Sequence, residues 1–498
     1  MLFNSKEFLI FFPIVVLGYF IVPKKIKTIW LLVASYYFYM CWNAKYALLI
    51  LFSTVVTYAS GLMLETIKKS DREETAKKKL MNLTVAVSFV SNLGVLVYFK
   101  YTNFFLGLLT RAFAAVHISL NIPEFDILLP VGISFYTFQA LSYTMDVYRD
   151  DIYAEKNFFR YALFVSFFPQ LVAGPIERSK NLLKQLAVER KFSFDNLREG
   201  FIIMLWGYFV KIVIADRIAL FVDTVYGDMG KYGGWYITVA ALLFAIQTYG
   251  DFYGYSLIAK GAAKIIDIDL MENFEYPFLR TTVADFWRGW HISLSTWFRD
   301  YLYFPLGGSR KGKLRKYLNV MIVFVTSGLW HGASFNYVIW GGMHGAFQVI
   351  GEMLQPLRKK IRQLFNIDIN SLSYRIIAMA ITSYLFAFSM IFFRSESASN
   401  AIIRIKSMFK GGNPWILFDG SLYQCGVDQK NFGIMMLSIA ILLFADICKA
   451  NNIVIRDVLK KQHVFIRSLF IAIALIFILV FGIWGPAYDA ASFIYFQF

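Results

Sequence analysis

The chain has 498 residues, of which 58% are hydrophobic and 18% aromatic, and it carries a formal net charge of +17. This composition and a positive mean hydropathy exclude an ordinary soluble enzyme and are typical of a polytopic membrane protein. Cys41, Cys425 and Cys448 are scattered and odd in number, so neither a disulfide framework nor a thiolate metal site is predicted.

Apolar runs recur along the whole chain, with lengths close to the roughly 20 residues that cross a hydrocarbon layer as a helix. The first run lacks a small-residue cleavage site, which favours a transmembrane helix over a signal peptide. The predicted fold is all-α, a single membrane domain over residues 1–498 with about 11–14 transmembrane or re-entrant helices. The candidate spans are 8–22, 28–42, 46–64, 81–99, 103–117, 128–147, 159–174, 200–220, 236–258, 318–332, 335–354, 375–393, 432–448 and 468–484.

Lys and Arg concentrate in six clusters between these spans. The clusters are 23–27, 68–80, 176–191, 307–316, 357–363 and 449–467. Alternate crossing through the spans puts all six on one side, as the positive-inside rule requires. This predicts a multi-pass protein of the inner (cytoplasmic) membrane with both termini outside the cytoplasm. The charge then reflects topology, so contact with anionic membrane lipids is expected and a nucleic-acid partner is not.

The segment 259–317 is predicted to be interfacial or re-entrant, because it is neither apolar enough to span nor polar enough to be a free loop. One face of a helix in this segment is apolar, and its residues are Trp287, Trp290, Leu294, Trp297 and Tyr301. His291, Ser295 and Arg299 follow beside that face at steps of four residues, with Asp300 near one end. An aromatic belt at the membrane interface is the alternative interpretation.

His331 lies in the apolar stretch "TSGLWHG" at 326–332. Ionisable groups at membrane depth are costly and usually line a cavity or a substrate path. A neutral imidazole is the cheapest of them to bury and is the form that a general base requires. Small neighbours such as Ser327 and Gly328 allow a substrate to approach, although a packed structural histidine is the alternative. His344 is predicted to be a packing residue, and no two histidines have the spacing of metal ligands.

Four longer motifs carry a resemblance to a known family. They are "LPVGISFYTFQALSYTMDVYR" at 129–149, "FFPQLVAGPIER" at 167–178, "DFWRGWHISLSTWFRDYLYFPLGGSRKG" at 285–312 and "SGLWHGASFNYVIWGGMHG" at 327–345. With them the chain resembles the membrane-bound O-acyltransferases, most closely the bacterial branch that includes alginate O-acetyltransferase and the D-alanyl transfer protein of teichoic acid modification. Gly289 departs from the usual pattern, in which an arginine is commoner.

The resemblance implies transfer of an acyl group from a cytoplasmic thioester to a hydroxyl. His331 would be the general base, and His291 would orient the donor or polarise its carbonyl. Further residues predicted to contact substrate are Trp290, Ser295, Arg299, Asp300, Trp330 and Asn336. No tightly bound cofactor is expected, since acetyl-CoA or a carrier-protein thioester serves as the donor substrate.

A basic run in the loop before the tenth span is a candidate site for the donor phosphates. Its residues are Arg310, Lys311, Lys313, Arg315 and Lys316. The alternative is that this run only sets the membrane topology.

The chain ends in "ASFIYFQF" within a tail, 485–498, that is predicted to be extracytoplasmic. This ending resembles that of the small partner protein in D-alanylation systems, in which a tyrosine is flanked by aromatic residues. The resemblance implies that Tyr495, deprotonated by His331, relays the acyl group. The alternative is an aromatic anchor at the headgroups.

The leading functional hypothesis is export of acyl groups, in the first place acetyl, for O-acylation of an extracellular polysaccharide such as alginate. It requires an extracytoplasmic acetyltransferase or another polymer-modifying partner protein. The alternatives are D-alanyl transfer to teichoic acid from a carrier protein and peptidoglycan O-acetylation. From another class, a secondary transporter or polysaccharide export channel would show broken helices at matching positions in two halves, which the sequence lacks.

Overall fold

The computed structural model describes residues 1–484 except 120–122, 124, 126, 127, 173 and 411. This part of the chain is helical and contains no β-strand, so the predicted all-α class is confirmed. The α-helices are α1 Lys6–Ile21, α2 Lys24–Met40, α3 Ala47–Lys69, α4 Glu74–Ala115, α5 Ile133–Tyr148, α6 Phe158–Ser166, α7 Phe168–Leu171, α8 Ser179–Ala187, α9 Phe194–Tyr208, α10 Asp216–Gly227, α11 Trp235–Ile265, α12 Val283–Gly289, α13 Ile292–Phe298, α14 Lys313–His331, α15 Phe335–Met353, α16 Gln355–Leu364, α17 Leu372–Arg394, α18 Ala398–Phe409, α19 Gln429–Ala450, α20 Ile455–Lys460 and α21 Val464–Phe481. Segments with π-helical geometry are Phe209–Ala215 and Arg299–Tyr303, and 3₁₀ turns lie at Ala44–Tyr46, Pro277–Leu279, Pro414–Leu417 and Ser421–Gln424.

The helices form two compact units. The first comprises Met1–Met204 and Ile258–Met271, and the second comprises Leu205–Leu257 and the chain from Glu272 onward. The single domain over 1–498 stays a prediction. His291 and His331, together with all their described neighbours, belong to the second unit.

Five helices of the described chain are long and apolar enough to cross a membrane. They are Ala44–Lys69, Glu74–Ala115, Leu372–Arg394, Gln429–Ala450 and Val464–Phe481. The last of these exposes apolar side chains such as Ile473, Ile476 and Val480 on nearly all sides, a surface that a lipid phase solvates and water does not. The prediction of a polytopic membrane protein is therefore confirmed.

The predicted spans 81–99 and 103–117 are not separate, because both lie within the single 42-residue helix α4. Polar residues at the expected boundary do not break the helix. Thr102 instead donates its hydroxyl hydrogen to the carbonyl oxygen of Tyr98 inside the same helix, at 2.6 Å. A helix of this length reaches about 63 Å, so it crosses a layer of about 30 Å once and extends beyond it.

The predicted span 159–174 is also not a continuous helix. It is divided at Phe167 into α6, which has 9 residues, and the single turn α7. At about 14 Å, α6 is too short to cross a membrane. One predicted crossing is lost at α4 and one at α6–α7, so the parity of the predicted alternation is unchanged and the placement of the six basic clusters on one side stays a prediction. The orientation of the termini stays a prediction.

In the first unit, hydroxyl groups make several of the buried polar contacts. Thr54 and Ser60 donate to carbonyl oxygens one turn earlier in α3, so that their hydroxyls are satisfied within the helix. Tyr161 on α6 donates to the hydroxyl oxygen of Thr57 at 2.7 Å, and Ser53 donates to Asn92 of α4 at 2.6 Å. Such interhelical hydrogen bonds are the usual polar contacts between membrane helices.

Candidate active site

The helix predicted to carry the apolar face from Trp287 to Tyr301 is broken, and the break is at His291. Helix α12 ends at Gly289 and α13 begins at Ile292, while His291 adopts a left-handed conformation with φ of 43°. The backbone N–H of Glu275 donates to the carbonyl of Gly289, and that of Ile292 donates to the carbonyl of Asn273, both at 2.9 Å. These bonds to the extended segment 273–275 replace the hydrogen bonds of a continuous helix.

Gly289 permits this close approach of two backbone segments. A Cβ at this position would lie 2.5 Å from the carbonyl oxygen of Glu275. Any larger side chain would therefore push 273–275 away from the turn that carries His291. The glycine that departs from the family pattern thus has a structural role in this chain.

His291 is hydrogen bonded to a buried amide. Its Nδ1 lies 3.2 Å from Oδ1 of Asn273. The same oxygen accepts from the backbone N–H of Ser293 at 3.3 Å and from its hydroxyl at 2.9 Å. The amide nitrogen of Asn273 donates to the hydroxyl oxygen of Ser256 at 3.3 Å. The imidazole is thereby fixed to a small polar network within an apolar surrounding.

Aromatic rings enclose His291, which is 1% exposed. The rings of His291 and Phe252 are nearly perpendicular, with their centroids 4.6 Å apart, and the ring centroid of Trp330 lies 6.0 Å from that of His291. Burial lowers the pKa of His291 to about 3. Because desolvation penalises the cation, this imidazole is neutral at physiological pH.

His331 is the last residue of α14 and is also buried. It is placed by a close crossing of α14 and α15, where a Cβ at Gly328 would overlap the carbonyl oxygen of Tyr337 and would lie 3.3 Å from the Cα of Gly341. The ring centroid of His331 lies 4.9 Å from that of Trp330 and 5.0 Å from that of Trp340. Trp330 therefore contacts both histidines, and the fold brings these two predicted residues together.

His344 is held differently, as expected of a packing residue. The indole N–H of Trp287 donates to its Nδ1 at 3.3 Å. Its Nε2 lies 2.9 Å from the hydroxyl of Ser389, which in turn donates to the carbonyl of Phe386 at 2.7 Å. Both ring nitrogens are thus used for contacts inside the protein.

Among the residues predicted to contact substrate, Trp290 is part of the buried aromatic core, stacked on Phe286 with centroids 5.4 Å apart. Its carbonyl oxygen accepts a hydrogen bond from the Ser295 hydroxyl at 3.2 Å. Arg299 and Asp300 form an ion pair with each other at 2.8 Å. Trp290 therefore packs in the protein interior next to the turn that carries His291, which the alternative of an interfacial aromatic belt did not anticipate.

Asn336 has a structural function at its amide nitrogen. It donates to the carbonyl oxygens of Phe392 and Ser395, at 3.2 Å and 2.8 Å, at the end of α17. Carbonyls at a helix C-terminus lack partners within the helix, so this contact satisfies them. Only the amide oxygen of Asn336, which has no hydrogen-bond partner among the described residues, is left for a substrate.

A cavity of about 1180 Å³ lies next to the two histidines. Its walls come from α12 to α17 and include Ser295, Arg299, Lys316 and Ser327. Neither His291 nor His331 is part of the wall. However, Ser295 follows His291 by one turn and Ser327 precedes His331 by one turn, so the cavity reaches the immediate neighbours of both imidazoles.

The candidate basic run is divided between two environments. Arg310, Lys311, Lys313 and Arg315 are exposed. Lys316 is half-buried, forms an ion pair with Glu352 at 2.6 Å and lines the cavity. Only Lys316 of this run is therefore brought to the cavity.

The sequence analysis missed a buried charged cluster in the π-helical segment Phe209–Ala215. The ammonium group of Lys211 bonds to Asp216 at 2.8 Å and also to Asp251 of α11, and all three side chains are almost fully buried. A lysine and an aspartate inside the apolar run 200–220 were the available signal, because charges within a span are rare. Asn273 and Ser293 were also missed, since single amides and hydroxyls in loops give no periodic pattern. Tyr495 lies outside the described residues.

Comparison with known proteins agrees with this architecture. A model of the membrane-bound O-acyltransferase family matches residues 28–392. A Pseudomonas putida protein named "Probable alginate O-acetylase AlgI" is 36% identical over 419 residues, which cover 83% of this chain and 81% of the relative. The peptidoglycan O-acetyltransferase of Helicobacter pylori is 31% identical over 440 residues, 82% of this chain and 80% of the relative. The teichoic acid D-alanyltransferase of Bacillus subtilis is 28% identical over 261 residues, 49% of this chain and 64% of the relative.

These likenesses cover the helices that carry both histidines, and they favour an enzyme over the alternative of a transporter or export channel. The match of the family model extends over more than half of the chain. The chain therefore belongs to the membrane-bound O-acyltransferase family and is a membrane-embedded O-acyltransferase.

Proposed function

We propose that this enzyme takes an acetyl group from acetyl-CoA on the cytoplasmic side of the cytoplasmic membrane and transfers it for O-acylation of an extracellular polysaccharide such as alginate. The observation that carries the proposal is the pair of buried imidazoles, His291 and His331, in contact with one indole beside a cavity of about 1180 Å³. The similarity to the alginate O-acetylase protein supports acetyl as the group and a polysaccharide as the acceptor.

In the proposed reaction a hydroxyl oxygen attacks the thioester carbonyl. A C–O bond forms and the C–S bond breaks. His331 takes the hydroxyl proton and returns it to the leaving thiolate, so the reaction consumes no net proton. A positioned general base contributes about 10²–10⁴-fold, and holding the two reactants together contributes more. His291, which contacts the same indole, assists the reaction by orienting the donor or polarising its carbonyl.

The cavity is the proposed entry for the donor. Thioester donors of this kind carry phosphates, for which cationic side chains are the natural partners. Arg299 and Lys316 lie on the cavity wall, while Arg310, Lys311, Lys313 and Arg315 are exposed on the loop before α14. We assign the phosphate contacts that matter for binding to the two residues on the cavity wall, and expect only weak, screened attraction from the four exposed residues of the loop.

Tyr495 is the proposed first acceptor. Its phenol oxygen would attack the thioester and form a phenol ester, with release of the thiol. A phenol ester is itself an activated acyl group. A separate extracytoplasmic transferase would then move the acetyl group from Tyr495 to the polymer. This scheme places both termini, including the tail 485–498, outside the cytoplasm.

The proposal is tested by mass spectrometry of the C-terminal peptide after purified protein has been incubated with isotope-labelled acetyl-CoA. We expect the label on Tyr495 in the wild type and none in His331→Ala or Tyr495→Phe. Thiol release without label on Tyr495 would eliminate the relay and leave direct transfer to the polymer. If acetyl-CoA is not consumed at all, the donor assignment is wrong.

The similarity to peptidoglycan O-acetyltransferase, over 82% of this chain, supports peptidoglycan as a second candidate acceptor. The shorter likeness to teichoic acid D-alanyltransferase supports a D-alanyl thioester on a carrier protein as a second candidate donor. Parallel incubations with acetyl-CoA and with a D-alanyl carrier protein separate the donors. Adding alginate or peptidoglycan fragments in the presence of the partner transferase separates the acceptors.

A further inference from the structure

Asn273 lies in the extended segment between α11 and the turn Pro277–Leu279, and its side chain is buried. Three donors converge on its Oδ1: the backbone N–H of Ser293, the Ser293 hydroxyl and Nδ1 of His291. A buried amide with so many contacts to one turn is a strong constraint on the geometry of that turn.

The orientation of this amide is fixed by its neighbours. A backbone N–H can only donate, so the side-chain atom 3.3 Å from the nitrogen of Ser293 must be the oxygen. The amide nitrogen is then correctly placed to donate to Ser256. The main-chain carbonyl of Asn273 also accepts from Ile292, the residue after His291. Asn273 is therefore held at both its side chain and its backbone.

This orientation determines the tautomer of His291. Because Oδ1 accepts, Nδ1 of His291 must carry the hydrogen that it donates. In a neutral imidazole, the lone pair then lies on Nε2. A histidine that polarises a carbonyl would need a hydrogen on Nε2, and so would have to be the other tautomer or the cation. Burial disfavours the cation.

We propose that Asn273 is a positioning residue that holds His291 in the Nδ1–H tautomer, so that His291 acts on the substrate as an acceptor through Nε2. This rests on the proposed acyl transfer and decides between the two roles considered for His291. His291 accepts a hydrogen bond from a substrate hydroxyl or amide and thereby orients it. It does not donate to the thioester carbonyl.

The first test is kinetic. In Asn273→Leu the acceptor for Nδ1–H is lost, and we expect kcat to fall about 10- to 100-fold, the size of effect seen when the partner that orients a metal-binding histidine is removed. The KM for the thioester should change less than about 3-fold, because Asn273 does not touch the cavity. In a His291→Ala background the same substitution should have no further effect, because the two residues act as one unit.

Asn273→Asp should shift the pH–rate profile, an effect that is not expected if Asn273 only stabilises the fold. The carboxylate still accepts from Nδ1–H, but its negative charge raises the pKa of His291. A larger fraction of His291 is then protonated and cannot accept. The acid limb of the pH–rate profile should move to higher pH, and activity should recover at alkaline pH. Ser256→Ala, which removes only the contact on the far side of the amide, is the matched control and should retain the wild-type profile.

The second test reads the tautomer directly. With five histidines in the chain, ¹⁵N-histidine labelling gives a spectrum that single substitutions can assign. We expect a protonated Nδ1 and an unprotonated Nε2 for His291 in the wild type, and mixed tautomers in Asn273→Leu. A hydrogen on Nε2 in the wild type overturns the inference, as does additivity of Asn273→Leu with His291→Ala. If wild-type protein consumes no thioester but shows the expected tautomer, the proposed function fails and the positioning role of Asn273 stands.

Discussion

Two buried histidines of the second unit, His344 and His291, are equally shielded from solvent, with 1% exposure each, and yet they are held in opposite tautomers. At His344 the partner of Nδ1 is a donor, the indole N–H of Trp287, so the ring hydrogen must be on Nε2. Nε2 donates that hydrogen to the hydroxyl oxygen of Ser389. At His291 the partner of Nδ1 is an acceptor, the oxygen of Asn273, so the lone pair is on Nε2. The chemical type of the group at Nδ1, and not the degree of burial, distinguishes a histidine used for packing from one suited to chemistry.

The largest effect is expected from His331→Gln. This substitution keeps a polar side chain of similar size but removes the proposed base, so we expect thioester turnover to fall about 10²–10⁴-fold. Thiol release from acetyl-CoA measures it, and melting of the detergent-solubilised protein controls for folding. Retention of more than a tenth of the wild-type rate would contradict the role of His331.

A second substitution tests a buried ion-pair cluster that we expect to stabilise the fold and not to take part in the reaction. Lys211 is paired with Asp216 and Asp251, so Lys211→Met removes the cation that these two buried carboxylates share. We expect a loss of about 3–5 kcal/mol in the free energy of unfolding. Residual folded protein should keep its turnover per molecule. A selective loss of activity with unchanged stability would instead show that the cluster takes part in function.

His344→Leu probes the packing histidine itself. The indole N–H of Trp287 loses its acceptor and the hydroxyl of Ser389 loses the ring N–H that donates to it, and we expect a loss of about 1–3 kcal/mol in stability. The rate per folded molecule should stay within about 2-fold of wild type, since His344 is not part of the proposed reaction. A thermal melt and a thiol-release assay on the same preparation check both statements.

The pH dependence of stability gives a smaller effect. The pKa of His291 is about 3 in the folded protein and about 6.5 in the unfolded chain, so only the unfolded chain binds a proton between these values. Stability is therefore retained above pH 6.5 and decreases as the pH falls below it. We expect wild type to lose about 1 kcal/mol more than His291→Asn between pH 6.5 and 5.5. Identical slopes for the two proteins would mean that His291 is not buried as a neutral ring.

The smallest effect concerns the basic loop. Lys316→Gln, on the cavity wall, should raise the KM for acetyl-CoA by about 3- to 10-fold through loss of one phosphate contact. Lys311→Gln, on the exposed part of the same run, should change it by less than about 2-fold, because exposed charges are screened. Equal effects of the two substitutions would place the donor phosphates on the loop instead of at the cavity.

The sequence could predict the helical membrane fold, because apolar length is visible in composition. It also pointed to His291 and His331, which the fold brings into contact with one indole, while their roles in the chemistry stay predictions. It could not predict the break at His291. That break depends on two backbone hydrogen bonds with a segment distant in sequence: the N–H of Glu275 donates to the carbonyl of Gly289, and the N–H of Ile292 donates to the carbonyl of Asn273. Periodicity alone predicts a continuous helix, since the aromatic residues on both sides of the break face the same core.

Two further predicted spans, at α4 and at α6, also differ from the observed helices. Helix α4 continues through polar residues because their hydroxyls bond within the helix, and α6 ends early although its sequence stays apolar. Asn273 could not be found from a sequence pattern, because a single amide in an irregular segment has no period. Its importance comes only from the three donors that the fold brings to it.

The most direct measurement of the central claim is thiol release from acetyl-CoA by wild type, His331→Gln and His344→Gln at equal concentrations of folded protein. The same substitution is thereby made in the histidine proposed for chemistry and in the one bonded for packing. We expect wild type and His344→Gln to release thiol at rates within about 2-fold of each other, and His331→Gln to be slower by about 10²-fold or more. Equal rates for the two variants would contradict the assignment of chemistry to His331 and of packing to His344.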